Sequence, residues 1–156
     1  MSDAHFIRRA IDLAVENVRL GRGGPFGAVI VHDGVVVAEG ANLVTHSHDP
    51  TAHAEIVAIR EACRIRQSFE LRGCTIYSSC EPCPMCLGAI YWARLYRLVF
   101  ASTRDDAAEA GFDDSFIYQQ VPLAPDARSL PMTNLLREEG ARAFQAWRQS
   151  PGHIAY

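Results

Sequence analysis

His53, Glu55, Cys83 and Cys86 are the residues of this chain whose types and spacing could do chemistry together. An imidazole and two thiolates are the borderline-soft donors that zinc takes in a tetrahedron, and a catalytic site leaves the fourth position to water. The run His53-Ala54-Glu55, followed by Pro82-Cys83-Pro84-Met85-Cys86, supplies three such ligands and one carboxylate free to handle protons. Zinc brings the ionisation of a bound water near neutral pH. Glu55 could then take a proton and pass it to a leaving amine, serving first as base and then as acid.

These groups need particular elements behind them. Cysteines three apart share one face of a helix, a turn apart. In the first turn, the helix N-terminus favours the thiolate a metal needs, and Pro84 suits an early helical position. His53 and Glu55, two apart, would diverge deep in a helix, so both reach one ion only at a helix end. Around them, Ile7, Ile11, Ala14 and Val18 predict an amphipathic helix over 3–20 with that stripe facing the core. The glycines from Gly21 to Gly27 follow a helix and precede a strand, the reverse of a phosphate loop. They read as a close approach of backbone to a pocket. Strands are expected over 28–32 and 35–41, joined at Asp33-Gly34 and apolar enough to be covered on both faces. The polar loop 42–50 holds His46 and His48, read as solvated. Thr51 is expected to cap a helix reaching Arg66. Strands at 75–79 and 98–101, helices from Cys83 to Ala93 and over 103–111, a strand at 132–136 and a helix over 141–148 complete the chain. The alternation predicts a mixed sheet with helices on both faces and a site at the C-terminal ends of strands.

At 156 residues, 49% hydrophobic and 21% charged, the chain reads as one ordinary globular domain spanning 1–156. A net charge of −3 without a basic cluster argues against nucleic acid as a partner. No long apolar run suggests a membrane span or an export signal. Five cysteines, an odd number, then point to reduced thiols in the cytoplasm. Cys63 and Cys74 read as core thiols; Tyr91, Trp92 and Trp147 read as packing residues. Two other uses of the cysteines stay open: a redox-active Cys-x-x-Cys dithiol, and a closed structural zinc with Cys80 as fourth ligand.

The pairing of H-x-E with P-C-x-x-C is the mark of the zinc nucleobase deaminases. With Gly24-Pro25-Phe26-Gly27-Ala28, Asn42, Pro50 to Glu55 and Ser79 to Trp92, the chain resembles the cytidine-deaminase-like superfamily. Ala110 to Tyr118 and Phe144-Gln145-Ala146-Trp147-Arg148 look like its bacterial guanine deaminases in particular. This resemblance implies a three-layer α/β/α sandwich around a mixed sheet of about five strands. It implies one zinc per chain on His53, Cys83 and Cys86, with Glu55 as proton shuttle and Asp114 as a second catalytic carboxylate. Asn42 would read the purine edge and Phe26 would pack on the base. The family's homodimers exchange C-terminal segments, here from about residue 140 to 156, so that Tyr156 would close the partner's pocket. The implied substrate is a small purine base, guanine, released as xanthine and ammonia. A nucleoside such as guanosine, adenosine in tRNA, and a non-catalytic zinc module are the alternatives; Asp105, Asp106, Glu109, Asp113 and Asp114 count against tRNA.

Overall fold

A computed structural model describes residues 2–156. Two compact units divide the chain, the first ending at Asp114 and the second running from Ser115 to Tyr156. In the first, α1 (Asp3–Arg19), β1 (Gly27–His32), β2 (Val35–Ala41), α2 (Val44–Ser47), α3 (Ala54–Arg66), β3 (Thr75–Cys80), α4 (Pro84–Trp92), β4 (Arg97–Ser102) and α5 (Arg104–Glu109) follow one another. The sheet order is β2-β1-β3-β4. β1 runs antiparallel to β2 and β3, and β3 runs parallel to β4, so the sheet is mixed as expected. At the hairpin, Asp33 and Gly34 both take positive φ, 49° and 76°, the twist that matches a tight two-residue connection.

Strand periodicity sorts the core into two layers. Ala28, Ile30 and Ile76 join Ala54, Ala58 and Ala62 of α3 on one face of the sheet. Val29, Val31 and Tyr77 join Phe6 and Ala10 of α1 on the other. Alternate side chains of β1 therefore serve opposite helices, and the three-layer α/β/α arrangement follows. β1 is buried along nearly its whole length, but β2 is half exposed. The expectation that both would be covered on both faces fails for β2, which is an edge strand.

The buried stripe of α1 also differs from the expected one. Phe6, Ala10, Ala14 and Asn17 face inward, while Ile11 and Val18 are exposed. The reason is steric: a Cβ at Gly27 would stand 2.3 Å from the Ala10 carbonyl oxygen. Opposite Gly27 the helix lies so close to β1 that the residues facing the sheet there, Ala10 and Ala14, must be small.

Among the described residues the sheet has four strands, not about five. The expected strand at 132–136 is irregular, follows Pro131, and leaves Leu135 and Leu136 exposed with no ladder to join. The second unit contains α6 (Ser115–Gln120), a 3₁₀ turn (Pro125–Ala127) and α7 (Arg137–Gln149), which starts earlier than expected. The Gln120 side-chain oxygen accepts from the Ser129 N–H at 2.7 Å, and Arg128 donates to the carbonyls of Leu123 and Val121. None of its described residues is buried. Trp147, Tyr91 and Trp92 are exposed, with the Trp147 ring 5.4 Å from that of His153; on α4 it is Cys86 and Ile90 that turn inward.

Candidate active site

The site is built on two helix starts. His53 is the N-cap of α3 and Cys83 the N-cap of α4, both with extended backbone, and neither makes a side-chain cap hydrogen bond. Thr51, expected to cap α3, instead donates its N–H and hydroxyl to the Asp49 carboxylate at 2.8 and 2.7 Å. That tight turn ends the loop two residues later and leaves His53 at the boundary, its imidazole uncommitted to the backbone. α3 lies against β2 at Gly40, where a Cβ would stand 2.2 Å from the Ala54 carbonyl oxygen and 2.6 Å from the Ala58 nitrogen. Only glycine permits this approach, which seats the start of α3 on the sheet.

The Nδ1 of His53 lies 3.5 Å from the Sγ of Cys83 and 3.5 Å from the Sγ of Cys86. All three ligand atoms fall within 4.8 Å of one another. A tetrahedron with legs of about 2.3 Å to sulfur and about 2.0–2.1 Å to nitrogen has an N-to-S edge of about 3.5 Å. The donor set therefore fits zinc in both chemistry and spacing. The Cys86 side chain holds the Cys83 thiol down at about 4, with His53 acting in the same direction. Cys86 is pushed up, first by Cys83 and then by burial. The hydrogen bond to Cys83 raises the imidazole of His53.

Glu55, one turn-step inside α3, is only 6 % exposed. Its Oε1 accepts from the Ser78 hydroxyl at 3.3 Å and its Oε2 from the Cys86 thiol at 3.5 Å. Burial raises its carboxyl above the usual range. Cys80 does not enter this group: its thiol donates to the Thr103 carbonyl at 3.4 Å and burial pushes it up to about 11. His46 and His48 are exposed, on α2 and its C-cap, as read from the sequence. Cys74 is buried and Cys63 partly so, and all five cysteines are unpaired.

Asn42 is buried at the end of β2. Its Oδ1 accepts from the N–H groups of Gly24 and Val44, each at 3.2 Å, and its own N–H donates to the Phe26 carbonyl at 3.1 Å. Its side-chain oxygen is thus committed to backbone, and among the described residues its Nδ2 has no hydrogen-bond partner. Phe26 meets Phe112 edge-to-face, ring centroids 5.0 Å apart. Both rings line a cavity of about 490 Å³ bounded also by Ile11, Val15 and Val18 of α1 and by Cys80; none of the three ligand residues borders it. Asp114 is half-buried, and burial raises its carboxyl, with the Cys83 charge adding to the rise and Arg104 opposing it. Tyr156 lies in the second unit and is exposed.

One residue of this neighbourhood was not found from sequence. Asn17 is 3 % exposed and donates from Nδ2 to the carbonyls of Gly24 at 2.9 Å and Asn42 at 2.8 Å. A polar side chain in register with Ala10 and Ala14 was the available signal, hidden by the choice of Ile7, Ile11 and Val18 as the inward stripe.

Among known proteins, the family described as the cytidine and deoxycytidylate deaminase zinc-binding region matches residues 1–102. The chain is 54% identical over 148 residues to the guanine deaminase of Bacillus subtilis (strain 168), covering 95% of each. An X-ray structure of guanine deaminase from Bacillus subtilis matches with a TM-score of 0.97 at 52% identity, covering 100% of this chain and 99% of that one. A structure solved in complex with 8-azaguanine matches with a TM-score of 0.70 at 31% identity, over 72% of this chain and 65% of the other. The tRNA-specific adenosine deaminase of Haemophilus influenzae is 43% identical over 102 residues, 65% of this chain and 58% of its own. The ligand geometry, the family match across it and a homologous guanine deaminase spanning 95% of the chain place this protein in the zinc-dependent cytidine and deoxycytidylate deaminase family.

Proposed function

We propose that this protein hydrolyses guanine to xanthine and ammonia, and that His53, Cys83 and Cys86 hold the zinc that the reaction needs. The observation that carries the substrate is the extent of the match. Similarity to the tRNA-specific enzyme spans 102 residues, whereas similarity to guanine deaminase spans 148. The longer match takes in much of the chain beyond the family region, which ends at residue 102.

Zinc, when bound, supplies Lewis-acid activation of water at neutral pH. The residues of the chain do the rest. Glu55, out of solvent and with its carboxyl raised, takes a proton as the water oxygen bonds to the amino-bearing carbon of guanine. It returns that proton to the amine, the carbon–nitrogen bond breaks, and ammonia leaves with the electron pair. Ser78 holds one oxygen of Glu55 and so orients the other toward the ligand residues. Asp114 is a second carboxylate for the protons of the departing amine. Asn42, its oxygen bound to backbone, offers Nδ2–H to an acceptor on the purine edge, and Phe26 packs against the ring. A net charge of −3 disfavours a polyanionic substrate.

The test is ammonia release from guanine, guanosine, adenine, cytosine and cytidine by zinc-loaded protein. Guanine is expected to be consumed and the others spared. Faster turnover of guanosine would move the substrate to the nucleoside, and inertness of loaded protein toward all five would reduce it to a zinc-binding module.

The protein is further inferred to be a cytoplasmic homodimer that exchanges its C-terminal segment. Five unpaired cysteines support a reducing compartment. Residues 131–156 are all exposed, and they include Leu135, Phe144, Trp147, Ile154 and Tyr156. So much uncovered apolar surface calls for a partner, and a second copy supplies one, with Tyr156 closing the other protomer's pocket. Mixing a Glu55→Gln chain with a chain cut after Ser150 tests this. Activity returning to roughly a quarter of sites on co-refolding is expected for random pairing. Silent heterodimers would refute the exchange.

A further inference from the structure

Asn17 has no place in the chemistry above, yet it is buried, polar and incompletely satisfied. Its Nδ2 spends both hydrogens, one on the Gly24 carbonyl at 2.9 Å and one on the Asn42 carbonyl at 2.8 Å. This fixes which way the amide faces, because turned over it would set an oxygen against two carbonyl oxygens. In the observed orientation Oδ1 accepts nothing among the described residues. A buried acceptor without a donor is costly. The arrangement still has no simple substitute: serine offers one hydrogen, leucine none, and glutamine is a methylene too long.

Those two bonds close a ring. Gly24 donates its N–H to Asn42 Oδ1, its carbonyl also accepts from the Phe26 N–H at 2.9 Å, and Asn42 N–H donates to the Phe26 carbonyl. The loop presses on Asn42 itself, since a Cβ at Gly23 would stand 2.2 Å from the Asn42 carbonyl oxygen. Asn17 is the only member of the ring that belongs to α1. It therefore ties the glycine loop and the end of β2 to a rigid helix.

We propose that Asn17 is a positioning residue for substrate binding: by clamping Gly24 and Asn42 it holds the Asn42 amide with Nδ2 directed to the purine. The inference rests on the reading of Asn42 as a purine-binding residue. Asn17 touches neither the ligand set nor Glu55, so its loss weakens binding rather than chemistry. A preorganised donor is worth more than the same donor on a loose loop.

The experiment compares Asn17→Ala, Asn42→Ala and the double variant by zinc content, kcat and KM for guanine. Asn17→Ala is expected to keep its zinc and its kcat within about threefold while KM rises about tenfold, the scale of one hydrogen bond. In the Asn42→Ala background, Asn17→Ala should add almost nothing, because the group it positions is gone. Should Asn17→Ala not fold, Asn17→Ser keeps one donor and should show a smaller rise of KM with the same split. Unchanged KM in the Asn17 variants beside a raised KM in Asn42→Ala would overturn the role of Asn17 alone. Unchanged KM in Asn42→Ala would overturn both readings. Additive effects, or a fall in kcat with KM constant, would show that Asn17 acts on something other than Asn42.

Discussion

Helix α5 and the pair α3 and α4 begin in opposite ways. At α5 the Thr103 hydroxyl accepts from the Asp106 N–H while the Asp106 carboxylate accepts from the Thr103 N–H at 2.7 Å, a complete capping box. At α3 and α4 the residues in the same position, His53 and Cys83, cap nothing. Their backbones adopt the same extended entry as Thr103, so the difference lies in the side chain alone. A capping side chain bends back onto its own helix and is worth about 1 kcal/mol. The side chains of His53 and Cys83 instead come together with Cys86, their ligand atoms within 4.8 Å of one another. A helix start that forgoes a cap has its side chain available for something else, and here it joins a group that could hold a metal ion.

The strongest way to break this comparison is to restore a cap where a ligand stands. Cys83→Ser should lose zinc and activity together, by elemental analysis and ammonia release, yet its metal-free Tm should equal or exceed that of metal-free wild type, since serine is a good N-cap. A lower metal-free Tm would show that Cys83 supports α4 in its own right. Glu55→Gln, one residue further into α3 than the N1 position, comes next. It should keep one zinc per chain and lose at least about 10²–10⁴-fold in kcat; loss of the metal instead would make Glu55 a ligand. Asp114→Asn should lower kcat/KM for guanine by about tenfold or more with zinc and Tm unchanged, whereas near-normal kinetics would leave Asp114 a surface acid.

The smallest effect belongs to the conventional cap. Thr103→Ala should lower Tm by roughly 2–4 °C and leave zinc content and kcat alone. The Thr103 N–H, and then its hydroxyl, holds the Asp106 carboxyl below its ordinary value of 3.8. A depressed folded-state value contributes stability that is complete above the ordinary value and disappears as pH falls through the depressed one. Thr103→Ala removes only the hydroxyl's share of that effect, so the Tm gap between wild type and Thr103→Ala should narrow on acidification below 3.8 without closing. A gap that does not narrow at all there would separate the cap's effect from the charge of Asp106.

What the sequence determined by itself is the part of the site that local geometry specifies. Cys83 and Cys86 lie three apart across a helix start and His53 and Glu55 two apart across another, so residue types and spacing sufficed to pick out the three residues that the fold gathers into a group able to hold a metal, with Glu55 beside them. The hairpin at Asp33-Gly34 was legible for the same reason, as were the four strands of the sheet, two of them read from nearly continuous apolar runs, whereas the strand expected at 132–136 did not form. What only the tertiary structure decided depends on distances between segments far apart in the chain. Gly27 and Gly40 let α1 and α3 approach the sheet so closely that small residues, not the larger Ile11 and Val18, face inward. Periodicity shows that a helix has an apolar face but not how near its neighbour will come. That nearness brought Asn17 onto the carbonyls of Gly24 and Asn42, 7 and 25 residues away. The pairing of β3 with β4, in turn, set Cys80 against Thr103, to whose carbonyl its thiol donates. Hydrogen bonds that close over such separations follow from packing, because each requires two surfaces to have met before the donor can find its acceptor.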